Sequence, residues 1–287
     1  MKIRPYRLSQ LEMGDFNLAG YSVAGEESLI IAPELDCCFD IGKCPREALH
    51  VNHVLLSHGH MDHVAGLPYY FSQRDFQGIG GGTAIVPADL VGPLEDLMVA
   101  FGRVEGHVAP HRFVGLRPGE DFEIRRGLVA RAFATKHLVA SLGFSVIDIR
   151  QKLKDEFVGL EGPQLVELKK RGVEITRRVE MPLVAFLGDT GKMNYSNLPH
   201  VAGAKALLIE CTFFDDDHIR RARAGKHVHV TDLPEMLEGM NNEKIIIIHV
   251  TRRTNMSVAR TILRKSLKKE TLDRITFLMS AKYIEED

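Results

Sequence analysis

The segment between residues 57 and 63 places four potential metal ligands at the end of a predicted core strand. Within six positions it carries His58, His60, Asp62 and His63, directly after the apolar run 54–56. A polar turn with scattered histidines is the alternative, but four ligand-type residues at this density argue against it. Imidazole and carboxylate groups bind Zn²⁺ and related ions, and a catalytic zinc site keeps one position open for water. The segment therefore predicts a hydrolytic metal site at a strand end.

Short apolar strands alternate with helical patterns, which predicts one α/β domain over residues 1–287. No internal repeat and no low-complexity linker divides the chain. Strands are predicted at residues 29–31, 38–41, 54–56, 83–86, 128–133, 183–187, 206–209 and 245–249. Helices are predicted at residues 62–71, 88–101 and 255–269, the last with Thr254 as its N-cap, and within the charged segment 152–178, flanked there by loops.

Charge and apolar pattern exclude several classes of protein. The net charge is −1, so a polyanionic partner must bind a local basic patch and not the surface as a whole. No apolar run approaches the ~18 residues needed to cross a bilayer, and residues 1–20 lack the apolar core of a signal peptide. The cysteines form no CxxC pair and are expected to be reduced core residues: Cys37, Cys38, Cys44 and Cys211. We expect the protein in the cytoplasm or in an organelle matrix.

Ligand-type residues also stand at the ends of later predicted strands. His137 and Asp189 each follow one strand, Glu210 follows the next, and His249 closes the last. Open α/β sheets bind their ligands at the carboxyl ends of their strands, so these side chains are expected along one edge. Each of them alone has many structural roles, but together with the first motif they complete two sets of metal ligands.

At this point the chain resembles the metallo-β-lactamase superfamily, through residues 57–63, the Gly-Asp-Thr at 188–190 and His249. Within that superfamily it is similar over nearly its whole length to ribonuclease Z, the tRNA 3′-processing endonuclease, and most to the short, plant-type form. The segments that carry this similarity are residues 39–45, 66–74, 152–156, 172–176, 210–213, 229–231 and 249–253. The resemblance implies an αββα sandwich, in which two mixed sheets pack face to face with helices outside.

The resemblance also implies a pair of metal ions, taken to be Zn²⁺, with Mn²⁺ or Fe²⁺ as alternatives. His58, His60 and His137 would hold one ion, while Asp62, His63 and His249 would hold the other, and Asp189 would bridge them. An anionic bridge is physically reasonable, because two dications about 4 Å apart repel each other. Asp62 is assigned a catalytic role as well.

A proton donor for the leaving group is the feature that favours a nuclease over other hydrolases of this fold. In the family a histidine supplies the proton and a glutamate orients that histidine. The matching residues in this chain are taken as His229 and Glu210. His227 is the nearby competitor, and His229 is preferred because Thr231 follows it as in the family. The simpler alternative is that Glu210 is a surface carboxylate and the histidines are packing residues.

The function implied is metal-dependent cleavage of precursor tRNA, which removes the 3′ trailer, by a homodimer. Arg252 and Arg253 are the best candidates for phosphate contact, because they adjoin a metal ligand. The long Gly/Pro-rich arm that many members use to grip tRNA is absent from the sequence, and Thr251 and Thr254 replace a serine and a tyrosine of the family. The alternatives are a small-molecule phosphodiesterase or a thioester or lactone hydrolase, and, less favoured, a non-catalytic RNA-binding subunit.

Overall fold

Two β-sheets follow one another along the chain, and each contains seven strands in sequence order within residues 8–278, the part of the chain that the computed structural model describes. The first sheet contains β1 Ser9–Glu12, β2 Asn17–Val23, β3 Glu27–Ala32, β4 Cys37–Phe39, β5 His53–Leu55, β6 Thr83–Pro87 and β7 Phe113–Leu116. The second contains β8 Asp121–Arg125, β9 Leu128–Ala134, β10 Leu142–Leu153, β11 Thr176–Phe186, β12 Ala206–Glu210, β13 Lys244–Ile248 and β14 Ile275–Phe277. The first four strands of each sheet pair antiparallel and the remaining pairs are parallel, so both sheets are mixed.

Helices pack on the outer face of each sheet, and one further helix lies at the end of a long hairpin. They are α1 Met61–Val64, α2 Leu67–Phe76, α3 Val91–Glu105, α4 Gly162–Lys170, α5 Pro199–Ala202, α6 Ile219–Gly225, α7 Leu233–Met236, α8 Met256–Ser266 and α9 Lys269–Leu272. One buried cluster lies between the sheets, where the rings of Phe39 and Phe186 are 5.1 Å apart. A second joins the first sheet to α2 and α3, and a third joins the second sheet to α7 and α8. This layering confirms the predicted αββα sandwich.

Strand β13, apolar from Ile245 to Ile248, shows why such runs form the centre of the sandwich. Successive side chains of a strand point to opposite faces, so a strand covered on both sides needs apolar residues at every position. Ile246 and Ile248 lie in the cluster between the sheets, while Ile245 and Ile247 lie in the outer cluster. This arrangement places His249, the next residue, at the edge of the sheet.

The charged segment 152–178 differs from the prediction of a helix flanked by loops. Strand β10 continues to Leu153 and β11 begins at Thr176, and these ends pair with each other as an antiparallel ribbon, with α4 at its tip. Most residues of this ribbon are exposed or half-exposed, so the apolar alternation that reveals a core strand is missing.

Two helix boundaries also differ. The predicted helix 62–71 is divided into α1 and α2 near Gly66, where a side-chain Cβ would lie 2.7 Å from the carbonyl oxygen of Ile41. The cap of α8 is Asn255 and not Thr254, because the Asn255 side chain accepts from the backbone N–H of Ser257 and Val258.

Two predictions from composition concern the cysteines and membrane-spanning helices. All four cysteines are free, and three of them are buried: Cys37, Cys38 and Cys211. No helix between residues 8 and 278 is long and apolar enough to cross a membrane.

Candidate active site

The seven predicted metal ligands meet at one edge of the sandwich. One group of ligand atoms within 4.8 Å of one another contains His58, His60, His137 and Asp189, and a second contains Asp62, His63 and His249. Asp189 also approaches the second group, since its Oδ2 lies 3.5 Å from His63 Nε2 and 3.4 Å from His249 Nε2. A carboxylate between two sets of imidazoles is the arrangement that two divalent ions require, so the donor set fits such a pair.

Strand direction explains this convergence. Strands β9, β11, β12 and β13 run in one direction within the second sheet, so their carboxyl ends share one edge. His137, Asp189 and His249 follow three of these strands, and Glu210 ends the fourth. The first sheet contributes the loop after β5, which carries the remaining ligands.

The buried carboxylate of Asp40 organises that loop. Its two oxygens accept hydrogen bonds from the backbone N–H of Ser57 at 2.7 Å, from the Ser57 hydroxyl at 2.8 Å and from His63 Nδ1 at 2.6 Å. The Ser57 hydroxyl donates its only proton to Asp40, so it accepts a hydrogen bond from His58 Nδ1 at 2.9 Å. Both histidines therefore carry their ring proton on Nδ1 and direct the Nε2 lone pair into the ligand cluster.

Replacing Asp40 by asparagine is expected to weaken metal binding roughly 10–100-fold, as loss of a residue that orients a ligand typically does. An amide nitrogen facing His63 or Ser57 would turn an acceptor into a donor and reverse the ring tautomer. Competition with a chelator of known affinity measures the change. Asp36→Asn is the matched control, since Asp36 also has a positive φ and holds Asn52 outside the cluster. Equal affinity for wild type and Asp40→Asn would contradict the expectation.

The charges of the cluster suit metal ligands. Burial alone would raise the pKa of Asp189, but His249 and His63 hold it well below its usual value, so this carboxyl is anionic. Burial, reinforced by His63, lowers the pKa of His58, and burial lowers that of His137. Neutral His58 and His137 beside a carboxylate are in the protonation states that bind a cation. Burial alone would lower the pKa of His63, but Asp189 and Asp40 raise it well above its usual value, so this ring must release a proton when a cation binds.

The predicted contact between Glu210 and His229 is wrong, and His227 takes that place. His227 Nδ1 lies 3.0 Å from Glu210 Oε1 and 3.8 Å from Asp189 Oδ2. His229 is fully buried, with Nδ1 bonded to the Thr231 hydroxyl and Nε2 to the backbone oxygen of Asp215. The geometry thus makes His227, the weighed competitor, the histidine of the site and gives His229 a structural contact.

Glu210 is buried, and both of its carboxylate oxygens accept hydrogen bonds. It is therefore not a surface carboxylate, which was the simpler alternative. Oε1 receives the backbone N–H of Thr190 at 2.9 Å and the ring of His227, while Oε2 receives the hydroxyl of Thr212 at 2.5 Å and the N–H of Val228 at 3.1 Å. Burial alone would lower the pKa of His227, but the Glu210 carboxylate raises it to about 9. Bound divalent ions would lower that pKa again, because they repel an imidazolium.

Arg252 and Arg253 lie exposed in the loop between β13 and α8. Arg252 forms an ion pair with Glu26, in the turn that also donates the Gly25 N–H to Asp62 Oδ2 at 2.8 Å. This contact places Arg252 beside the second ligand group. Among the other basic residues, Arg223 is bound to Asp232, and Lys226 donates to the backbone oxygen of His137.

Sequence reasoning assigned no role to Asp40 or to Thr212. Asp40 was included in a predicted strand over 38–41, although a charged residue inside an apolar run is itself a signal. The strand ends at Phe39, and Asp40 adopts a left-handed φ of 53° that turns its carboxylate toward the histidine loop.

The fold and this site define a class of protein, and comparison with known families agrees. The family model described as the beta-lactamase superfamily domain matches residues 35–250. Among solved structures, the protein YhfI of Bacillus subtilis superposes with a TM-score of 0.62 at 12% identity, over 91% of this chain and 94% of that one. Human tRNase Z, short form, superposes with a TM-score of 0.56 at 17% identity, over 81% and 92%. These structural similarities support the fold, and the chain is a β-lactamase-superfamily protein.

Relatives with similar sequences show which family of this superfamily the chain belongs to. The chain is 36% identical to tRNase Z TRZ1 of Arabidopsis thaliana, over 85% of this chain and 88% of the relative. It is 33% identical to the chloroplastic tRNase Z TRZ2 of the same plant, over 89% and 73%. A nuclear ribonuclease Z of Triticum aestivum is 37% identical over 59% of this chain and 97% of its own length. The chain belongs to the ribonuclease Z family, and it carries the divalent-metal ligand cluster described above.

Proposed function

We propose that this chain is an endoribonuclease that cleaves precursor tRNA and removes its 3′ trailer. The observation that carries the proposal is the Glu210–His227 pair, which lies beside the ligand cluster and outside the two groups that contain the predicted metal ligands. Relatives named tRNase Z and ribonuclease Z support the same substrate. A proton donor next to the metals is the feature that a poor leaving group, such as a ribose 3′ oxygen, requires.

Each group of residues has a separate role in the proposed reaction. Divalent ions held by the two ligand groups would activate water and neutralise charge on the scissile phosphate. Glu210 fixes His227 through Nδ1, which leaves Nε2 as the nitrogen that donates a proton to the departing 3′ oxygen. Asp189 spans the two ligand groups, and Asp62 completes the second. Arg252 and Arg253 would contact phosphates of the RNA.

The deciding assay compares two substrates. Purified protein, zinc-loaded or chelated, is incubated with a tRNA bearing a 3′ trailer and, separately, with a nitrophenyl phosphodiester. Metal-dependent cleavage of the tRNA directly 3′ of the discriminator nucleotide supports the proposal. Hydrolysis of the small ester with an intact tRNA would favour a small-molecule phosphodiesterase, and no hydrolysis of either would favour a thioester or lactone hydrolase or a binding subunit.

We also propose two Zn²⁺ ions per chain, on the ligand types and their grouping. Elemental analysis after purification distinguishes zinc from Mn²⁺ and Fe²⁺ and counts the ions. A single domain over 1–287 is proposed because one buried cluster draws residues from both sheets. For location we propose the cytoplasm or an organelle matrix.

A homodimer is proposed too, but with a surface that differs from the predicted one. Leu67, Tyr70 and Phe71 of α2 are core residues, so they offer no patch. Tyr69 and Phe76 are exposed and lie seven positions apart on one face of α2.

Light scattering at micromolar concentration is expected to give a molecular mass twice that of one chain. Phe76→Glu is expected to lower this mass toward that of one chain, because a charge would be buried in the interface. Val104→Glu, on an equally exposed residue of α3, is the control. A monomeric wild-type protein would remove the dimer.

A further inference from the structure

Thr212 joins the acid pair to the second group of metal ligands. It is buried, two residues beyond Glu210, and its hydroxyl oxygen lies 2.5 Å from Glu210 Oε2 and 3.0 Å from His249 Nδ1. The backbone holds this position, since Thr251 N–H donates to the Thr212 carbonyl and Cys211 N–H to that of Ile248. The hydroxyl therefore bridges a carboxylate and an imidazole.

The direction of the two hydrogen bonds follows from proton counting. A hydroxyl has one proton to donate and can accept in addition, whereas an ionised carboxylate only accepts. Thr212 therefore donates to Glu210 and accepts from a protonated Nδ1 of His249. That tautomer leaves the lone pair on His249 Nε2, which lies 3.4 Å from both Asp62 Oδ2 and Asp189 Oδ2. Nε2 is thus the nitrogen free to bind a metal.

We propose that Thr212 is a positioning residue through which Glu210 orients two histidines, the proton donor His227 directly and the ligand His249 by way of the hydroxyl. The rings of His227 and His249 stack with centroids 5.4 Å apart, so both are held side by side from one carboxylate. This inference rests on the proposed metal pair. It links the binding of the second ion to the same carboxylate that serves proton transfer.

The test measures metal binding without RNA. Thr212→Val removes the hydroxyl at nearly constant volume, and Thr212→Ser keeps it. For Thr212→Val we expect one of the two zinc ions to bind about 10–100-fold more weakly in a chelator competition, with the other unchanged, since that is the usual effect of losing a partner that orients a ligand. Thr212→Ser is expected to bind both ions as wild type does.

Thr231→Val is the matched control, because its hydroxyl holds His229 outside the cluster. Thermal unfolding of the chelated proteins shows whether each variant folds, and Thr212→Ala replaces Thr212→Val if the valine does not fit. Wild-type affinity for both ions in the folded valine or alanine variant would overturn the proposal, as would an equal loss in Thr212→Ser or a wild-type chain that binds one ion. Failure of the wild type to cleave precursor tRNA would overturn the proposed function and leave this measurement unaffected.

Discussion

Replacing His227 by alanine is expected to lower cleavage of precursor tRNA by about 10²–10⁴-fold, the usual contribution of general acid catalysis. Both ions should stay bound, because the two groups of predicted ligands do not include His227, although it also forms a third group with Asp189 and His249. The rate of cleavage of a nitrophenyl phosphodiester should fall much less, since its leaving group departs as a stable anion. Rates on the two substrates, with metal content measured on the same preparation, give the comparison.

His229→Ala is the control for that experiment. His229 is fully buried and bonded to Thr231 and Asp215, so its loss should lower the free energy of unfolding and reduce both activities in the same proportion. Glu210→Gln should lower tRNA cleavage more mildly than His227→Ala, because Glu210 orients the donor without supplying the proton. It should also weaken binding of the second ion, since Glu210 orients His249 through Thr212. If His227→Ala lost activity equally on both substrates, His227 would serve metal binding, and the assignment of the proton donor would be wrong.

Replacing Asp189 by alanine is expected to reduce activity on both substrates to background. The two ligand groups share this carboxylate, so without it two dications would face each other with no anion between them. Elemental analysis should find at most one ion per chain. The fold should persist, since Asp189 is outside the three apolar clusters, and thermal unfolding of the chelated protein would show this.

Asp148→Ala is a suitable comparison, because Asp148 is a carboxylate of β10 that pairs with Arg150 away from the edge. It should keep both ions and both activities. Two ions retained by Asp189→Ala would mean that Asp189 does not bridge them.

The metal ligands could be predicted because strand ends are visible in the sequence. Apolar runs mark where β5, β11 and β13 lie, and parallel strands end at the same edge, so polar residues just beyond them must meet. The choice between His227 and His229 depends on a single turn instead. Lys226 ends α6 with a left-handed φ of 52°, and the Val228 N–H donates to Glu210, which directs His227 toward that carboxylate. No periodic pattern in the sequence indicates such a turn.

The segment 152–178 shows a second limit. Its charged composition suits a helix, but the ends of β10 and β11 pair with each other beyond the sandwich, where no core requires apolar side chains. Backbone hydrogen bonds pair the two strands of that ribbon, and they leave little trace in residue type.

His63 and His249 contact each other across 186 positions of sequence, and each follows a strand of a different sheet of the sandwich. The full cluster therefore cannot form before the second sheet is made, since the chain up to the end of the first sheet contains only four of the seven predicted ligands. A divalent ion bound by the cluster would then act as a late ligand that stabilises the finished fold by mass action, and not as a template that starts folding. Folding of this chain should accordingly begin at the same rate in chelated and metal-replete solutions, while unfolding is slowed by the metal.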